Sequence, residues 1–322
     1  MRGDRGMTAR GRVLVTGGAG FIGSHACEAL LAAGHAVRIL DDFSSGNAAN
    51  IAGIWRDLEV HEGSVDAPHA VARAVAGCTA VVHLAALTSV AESMVEPVRY
   101  HRVNSEGTRV VCAAARAAGC ARLVFAASSS AYGDHPAPQH EELAPRPLSP
   151  YAATKVEGEA TVRAMSGDGP CDGVSLRFFN AYGPRQDPNS AYAGVIARFI
   201  GRMRSGLPVT VFGDGLQTRD FVAVRDVAQA VVRAVDSTRS FGGAVMNIGT
   251  GRATSILGLA GAVGDALGVT PRIEHAAPRD GEVRDSVACT ARAVEVLGFT
   301  AETPLERGLR SMVGRSPEET RR

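Results

Sequence analysis

From Val13 to Phe43 the chain reads VLVTGGAGFIGSHACEALLAAGHAVRILDDF. The short apolar run Val13–Thr16 passes directly into Gly17, Gly18, Gly20 and Gly23. A helical pattern follows over Phe21–Ala33 and is closed by Gly34. A second apolar run, Val37–Leu40, then ends on Asp41. Few folds accept that order. Buried strand, tight turn, helix and buried strand within about thirty residues make a β-α-β unit. The first turn must tolerate positive φ and let backbone approach whatever lies above the strand end, which is what glycine permits.

Gly17, Gly20 and Gly23 form G-x-x-G-x-x-G at a strand-to-helix junction. A helix N-terminus presents free N–H groups and the positive end of the helix dipole, which suits a pyrophosphate. The spacing differs by one residue from G-x-G-x-x-G, and glycine-rich turns also serve packing alone, so its context decides. Asp41, at the end of the second strand, is placed to accept hydrogen bonds from both adenosine ribose hydroxyls. A carboxylate there repels a 2′-phosphate and no Arg follows it immediately, which favours NAD over NADP. Asp66, in GSVDA, has two readings: a contact to the adenine edge, or an N-cap for a helix over Ala67–Val75.

Strand-like runs recur at Ala80–Leu84 (AVVHL) and Leu123–Ala126 (LVFA), with one long Ala-rich helix expected over Val98–Ala118 between them. Continuous apolar strands alternating with helices predict a parallel sheet covered on both faces. The fold class expected is α/β: a Rossmann-type doubly wound parallel sheet with a smaller, mixed α/β C-terminal substrate-binding domain. After about residue 180 the texture changes. NAYGPRQDPNSAYAG and FGDGLQTRDF are long, polar and rich in turn residues, as functional loops are. Helices are expected at Val224–Val235, Ile256–Leu267, Ala291–Leu297 and Leu305–Met312. The expected organisation is a disordered leader over 1–11, with Met7 an alternative start, a nucleotide-binding domain over 12–180, and a substrate-binding domain over 181–322 interleaved with it.

Composition narrows the function classes. Lys+Arg is 34 and Asp+Glu is 33 in 322 residues, a net charge of +1, which argues against a nucleic-acid partner. The six cysteines (27, 78, 112, 120, 171 and 289) have no C-x-x-C spacing, so neither a metal site nor a disulfide framework is expected, and a reducing cytoplasmic compartment is. No apolar run reaches the ~18 residues of a membrane span.

SPYAATKVEGEA places Tyr151 and Lys155 at i and i+4, on one face of a helix. A free phenol titrates near ~10 and is a poor base at neutral pH. A neighbouring ammonium and a cationic nicotinamide would each favour phenolate. A surface Tyr/Lys pair has the same spacing. Ser128, Ser129 and Ser130, in FAASSSAYG, follow a parallel strand at the edge where open α/β sheets bind ligands. There Ser128 can orient a substrate hydroxyl towards Tyr151; a plain polar loop is the other reading.

With these residues in place the chain resembles the extended short-chain dehydrogenase/reductase family, and within it the nucleotide-sugar 4-epimerases. TGGAGFIG, LDDFSSG, HLAALTSV, ASSSAYGD, YAATK, RFFNAYGPRQDP, GDGLQTRDFVAVRDV, NIGTG and PRDGEVRDS match in order over residues 12–313. The resemblance implies a catalytic pair of Ser128 and Tyr151, with Lys155 on the nicotinamide ribose. It implies NAD contacts at Gly17, Gly20, Phe21, Ile22, Gly23, Asp41, Asp66, Leu84, Ala85, Ala86 and Asn104. It implies a UDP-sugar site in which Ser129 and Ser130 face the substrate, Asn180 meets the diphosphate and Phe212 packs the uracil. Arg219 and Arg279 would clamp phosphates, since a planar guanidinium binds them bidentately, and Glu282 would take the uridine ribose. It also implies a homodimer through the helices near 98–118 and 151–165.

The reaction so implied is inversion at C4 through a transient 4-keto sugar, with NAD regenerated and Tyr151 as acid and base. A 4,6-dehydratase also needs an Asp-Glu pair beside the strand end, where this chain has Ser129 and Ser130. A UDP-glucuronate 4-epimerase or decarboxylase is a closer alternative, because serines can hold a C6 carboxylate; Asp187 would repel one. Ser286 stands where glucose-restricted members carry a bulky tyrosine, so a C2 acetamido group is expected to fit. A non-catalytic NAD-binding protein is disfavoured by the presence of Ser128, Tyr151 and Lys155 together.

Overall fold

A computed structural model describes residues 10–167, 169–186, 194–278 and 283–314. In chain order the elements are β1 (Arg10–Thr16), α1 (Phe21–Ala32), β2 (His35–Asp41), β3 (Leu58–Glu62), α2 (Pro68–Val75), β4 (Ala80–His83), α3 (Val90–Val95), α4 (Pro97–Tyr100), α5 (Gly107–Ala117), β5 (Arg122–Ser128), α6 (Pro150–Gly167) and β6 (Asp172–Phe178). Then come β7 (Asn180–Tyr182), α7 (Val195–Arg204), β8 (Val209–Phe212), β9 (Thr218–Arg219), β10 (Phe221–Ala223), α8 (Val224–Asp236), β11 (Ala244–Ile248), β12 (Thr254–Ser255), α9 (Ile256–Leu267), β13 (Ile273–Ala276), β14 (Asp285–Ser286), α10 (Ala291–Leu297) and α11 (Leu305–Val313).

Seven strands pair in the order β11-β6-β5-β4-β1-β2-β3, every pair parallel. The side-chain period of two divides each strand between two cores. On one face Val13, Val15, Ile39 and Val82 meet Cys27 and Leu30 of α1 and Val227 and Val231 of α8. On the other, Leu14, Leu40, Val81 and Leu123 meet α2, α5 and α6 through Val71, Val111 and Val162. A third core, with Phe199, Val211, Leu259 and Leu309, holds the second lobe together. That lobe is threaded through the first, since β11 and α8 follow β7–β10 in sequence yet belong to the large sheet and its covering layer.

Strand order reverses between β1 and β4, and the crevice above their C-terminal ends is where such sheets bind ligands. The two ends are tied together: Leu84 N donates to Thr16 O at 3.1 Å.

Two local expectations change. The single helix over 98–118 is α4 and α5 joined by a π-helical stretch, His101–Glu106. The wider i→i+5 turn, a device often found at functional sites, carries Asn104 inward, 4% exposed, while His101 and Arg102 at its start are exposed. Asp66 does not cap α2: Ala67 holds the N-cap position with no side-chain bond and Pro68 opens the helix. Its carboxylate pairs with Arg102 at 3.0 Å.

Candidate active site

The glycine turn follows from the junction of β1 and β4. Gly17 has φ +71, and a Cβ there would lie 2.8 Å from Ala85 N, so only glycine lets the neighbouring strand end pass. A Cβ on Gly23 would lie 1.9 Å from Gly17 O, which fixes how closely α1 approaches the turn. Gly20 is the N-cap of α1 with no capping side chain, so the first N–H groups of the helix are left to a ligand. The turn, Phe21, Ile22, Asp41, Asp66 and the 84–87 loop all line one cavity of about 1350 Å³. Ser128, Tyr151 and Lys155 line the same cavity.

Asp41 is 6% exposed, and its two oxygens accept from Ala19 N at 2.8 Å and Phe43 N at 2.9 Å. Burial raises its pKa, with those two amides pulling the other way. A carboxylate offers about four lone-pair positions, so two remain for hydroxyl donors from the cavity. A cradle closed to any Cβ, a bare helix N-terminus and a half-satisfied carboxylate at the end of β2 fit an adenine dinucleotide with a free 2′-hydroxyl.

Ser128, Tyr151 and Lys155 are brought together by β5 and α6. Ser149 Oγ accepts from Ala152 N at 3.2 Å, and Pro150 stands in the first turn, so α6 starts at a defined residue and Tyr151 sits at its mouth. Ser128 closes β5 and caps the short 3₁₀ turn Ser129–Tyr132. Its Oγ accepts from Ser130 N at 3.2 Å and from Ser130 Oγ at 2.9 Å. Both acceptor positions being used, its own proton is left for the Tyr151 phenol, whose pKa Ser128 lowers.

Tyr151 differs from expectation. Its pKa lies above that of an ordinary phenol because it is buried, with the Ser128 hydrogen bond pulling it down. Lys155 is not what offsets the burial. Its ammonium donates to Ala126 O at 2.8 Å and lies 5.1 Å from the Phe125 ring centroid. Burial holds the Lys155 pKa down to about 8, opposed by Glu159 one turn further along α6. Glu159 is itself gripped by Arg177 of β6 through two 2.7 Å bonds.

Other expected residues stand elsewhere. Asn104 lies behind the cavity wall: Oδ1 accepts from Leu87 N at 2.8 Å, and Nδ2 donates to Leu87 O at 2.9 Å and Thr154 Oγ1 at 3.1 Å. Ser129 and Ser130 are turned off the wall by the 3₁₀ turn, Ser130 acting through Ser128. Asn180, Arg219 and Ser286 are brought together by strand pairing, with Asn180 beside Phe221 and Ser286 beside Arg219, while Phe212 ends β8. None of these four lines the cavity wall. Arg279, Glu282 and Asp187 lie outside the described residues. Sequence reasoning missed the wall contributed by Asn47, Asn50, Arg185 and Gln186. The polar run after Asp41 was the available signal for the first two. Arg185 has φ +71 and pairs with Glu28, a contact between residues far apart in the chain.

Fold and site together define a dinucleotide-binding protein of the doubly wound α/β class with a Tyr-x-x-x-Lys centre. The model of the NAD dependent epimerase/dehydratase family matches residues 13–249, and the chain belongs to that family. It is 40% identical to UDP-glucose 4-epimerase of Mycolicibacterium smegmatis, over 94% of this chain and 97% of that one. Among solved structures it superposes on UDP-glucose 4-epimerase of Thermotoga maritima with UDP-glucose at a TM-score of 0.89 and 35% identity, covering 96% and 98% of the two chains. It superposes on UDP-N-acetylglucosamine 4-epimerase of Methanobrevibacter ruminantium, in complex with UDP-N-acetylmuramic acid, at 0.90 and 32%, covering 95% and 98%.

Proposed function

We propose that this protein is an NAD-dependent 4-epimerase of a UDP-sugar, interconverting UDP-glucose and UDP-galactose and accepting the 2-acetamido pair, with Tyr151 as acid and base. The observation that carries the reading is the convergence of Ser128, Tyr151 and Lys155 with the glycine turn and Asp41 in one cavity.

The glycine turn and the N-terminus of α1 would hold the pyrophosphate of NAD, Asp41 its adenosine ribose, and Lys155 its nicotinamide ribose. When bound, the nicotinamide supplies a reversible hydride acceptor for sugar C4. Tyr151 takes the C4 hydroxyl proton and returns it to the inverted centre. Ser128 donates to the phenolic oxygen and so favours its charged form. Lys155, held by Ala126 O, contributes positive charge to the site without pairing with a carboxylate.

Asn180, Phe212, Arg219 and Ser286 belong to the second lobe and serve the nucleotide and sugar there, together with Arg279 and Glu282. Only Ser128 of the serine run faces the cavity, so the run offers little to a C6 carboxylate. That favours a neutral hexose over a glucuronate. Val90, Met94, Val95 and Val98 are 50%, 62%, 81% and 81% exposed on α3 and α4. An apolar strip of this kind beside α6 supports a homodimer. Five of the six cysteines are buried thiols, which suits a reducing cytoplasm, and among the described residues no helix is long and apolar enough to cross a membrane.

The test is a substrate panel: UDP-glucose, UDP-galactose, UDP-N-acetylglucosamine, UDP-glucuronate and dTDP-glucose, with products identified by NMR. Epimers of the first three are expected. A pentose, a 4-keto-6-deoxy sugar or no product from any of them would overturn the reading.

A further inference from the structure

The surroundings of His83 determine its protonation. It ends β4 and is 1% exposed, between Thr16 at 0% and Thr108 at 1%. Its Nδ1 lies 2.7 Å from Thr16 Oγ1 and its Nε2 3.0 Å from Thr108 Oγ1. Thr108 Oγ1 donates to the Asn104 carbonyl at 2.5 Å, and a carbonyl only accepts. The Thr108 proton is thereby committed, so its oxygen must accept from His83, and Nε2 carries the imidazole hydrogen. At the other end Ala85 N donates to Thr16 Oγ1 at 3.2 Å, and the Thr16 hydroxyl proton has bare Nδ1 as its acceptor. A second proton on the ring would leave that hydroxyl without an acceptor and set a cation near Lys155. Burial, then Lys155, hold the His83 pKa down to about 3.

The relay therefore runs from Ala85 N through Thr16, His83 and Thr108 to Asn104 O. Asn104 in turn grips Leu87 by both its N–H and its carbonyl. Both ends of the relay meet the 84–87 loop, which lines the cavity beside the glycine turn.

We propose that His83 is a positioning residue for the dinucleotide cleft: locked as the neutral Nε2–H tautomer, it ties the end of β1 to the π turn and so sets the path of Ala85–Leu87. Its link to NAD rests on the function proposed above; the relay itself does not.

The test has two independent readouts. Imidazole ¹⁵N NMR of the wild-type protein is expected to show His83 with a protonated Nε2 and a bare Nδ1 across the pH range in which the protein is folded. A protonated Nδ1, or a ring that titrates near neutrality, overturns the proposal. The second readout uses His83→Leu, and Thr108→Val in case the first variant does not fold. Losing one buried hydrogen-bond link is expected to speed amide exchange at Ala85 and Leu87 and weaken NAD binding by about ten-fold or more, with kcat at saturating NAD little changed. Val211 and Leu259, in the separate third core, keep their exchange rates. Unchanged exchange at 85 and 87 in a folded variant overturns the proposal. A wild-type protein that binds no NAD fails the functional reading instead, and the NMR and exchange results still decide on the relay.

Discussion

Lys155 Nζ lies 5.9 Å from the centroid of the Tyr151 ring and bonds the Ala126 carbonyl, not the phenol. The hydrogen bond that reaches the phenol is from Ser128. Ser128, not Lys155, is therefore what opposes the effect of burial on the phenol, and Ser130 donates to Ser128.

Tyr151→Phe removes the proton carrier and leaves the glycine turn, Asp41 and Lys155 in place. We expect conversion to fall by about 10²- to 10⁴-fold, the usual weight of a general acid-base group, with NAD retained. Ser130→Ala loses one hydrogen bond that orients Ser128 and should cost about three- to ten-fold in kcat. Steady-state kinetics with a count of bound NAD checks both; an active Tyr151→Phe enzyme contradicts the assignment of the base.

The charge on Lys155 sets an alkaline limit. Its pKa is lowered to about 8 by burial, against the pull of Glu159. The ammonium is present below that pH and lost above it, so activity should decline on the alkaline side from about that point. Glu159→Gln removes the group that raises the Lys155 pKa, so the alkaline limb must move to lower pH. The same change strands buried Arg177 without its partner and should destabilise the fold by about 3–5 kcal/mol. A pH–rate profile of each protein decides; a limb that stays put or moves upward contradicts the coupling.

Gly17→Ala places a methyl against Ala85 N at a φ of +71. It should cost about 1–3 kcal/mol of stability and abolish tight NAD binding. Asp41→Asn replaces one acceptor by a donor facing a backbone N–H, and should weaken NAD binding while narrowing its advantage over NADP. Equilibrium binding of both dinucleotides measures this.

The glycine turn, Asp41 and the Tyr151/Lys155 pair were legible because their signals are local: an apolar strand, a helical period, a fixed i,i+4 spacing. The helices at 256–267 and 291–297 were legible for the same reason. What could not be read depends on strand order. Thr16, His83 and Thr108 become neighbours only when β1 and β4 lie side by side and the π turn is in place. The 3₁₀ turn that carries Ser129 and Ser130 off the cavity, and the choice of Ala126 O over Tyr151 by Lys155, are likewise settled by packing between β5 and α6.

His83 also leaves a thermodynamic signature. Its folded-state pKa is near 3 against an ordinary 6.5, lowered by burial and then by Lys155. Between those values the unfolded chain takes up a proton that the native protein refuses. Stability contributed by this group is therefore full above 6.5 and falls with decreasing pH, by up to about 1.4 kcal/mol per pH unit. Denaturant unfolding of wild type and His83→Leu over this range should differ in slope by one proton, and identical slopes would contradict a buried neutral imidazole.

The most direct measurement of the central claim is to incubate the purified protein with NAD and UDP-galactose and follow the sugar by NMR. UDP-glucose is expected, with the same final mixture when the reaction starts from UDP-glucose, and no net accumulation of NADH. UDP-galactose left unchanged by protein that demonstrably holds NAD, or consumed with stoichiometric NADH, would contradict that claim.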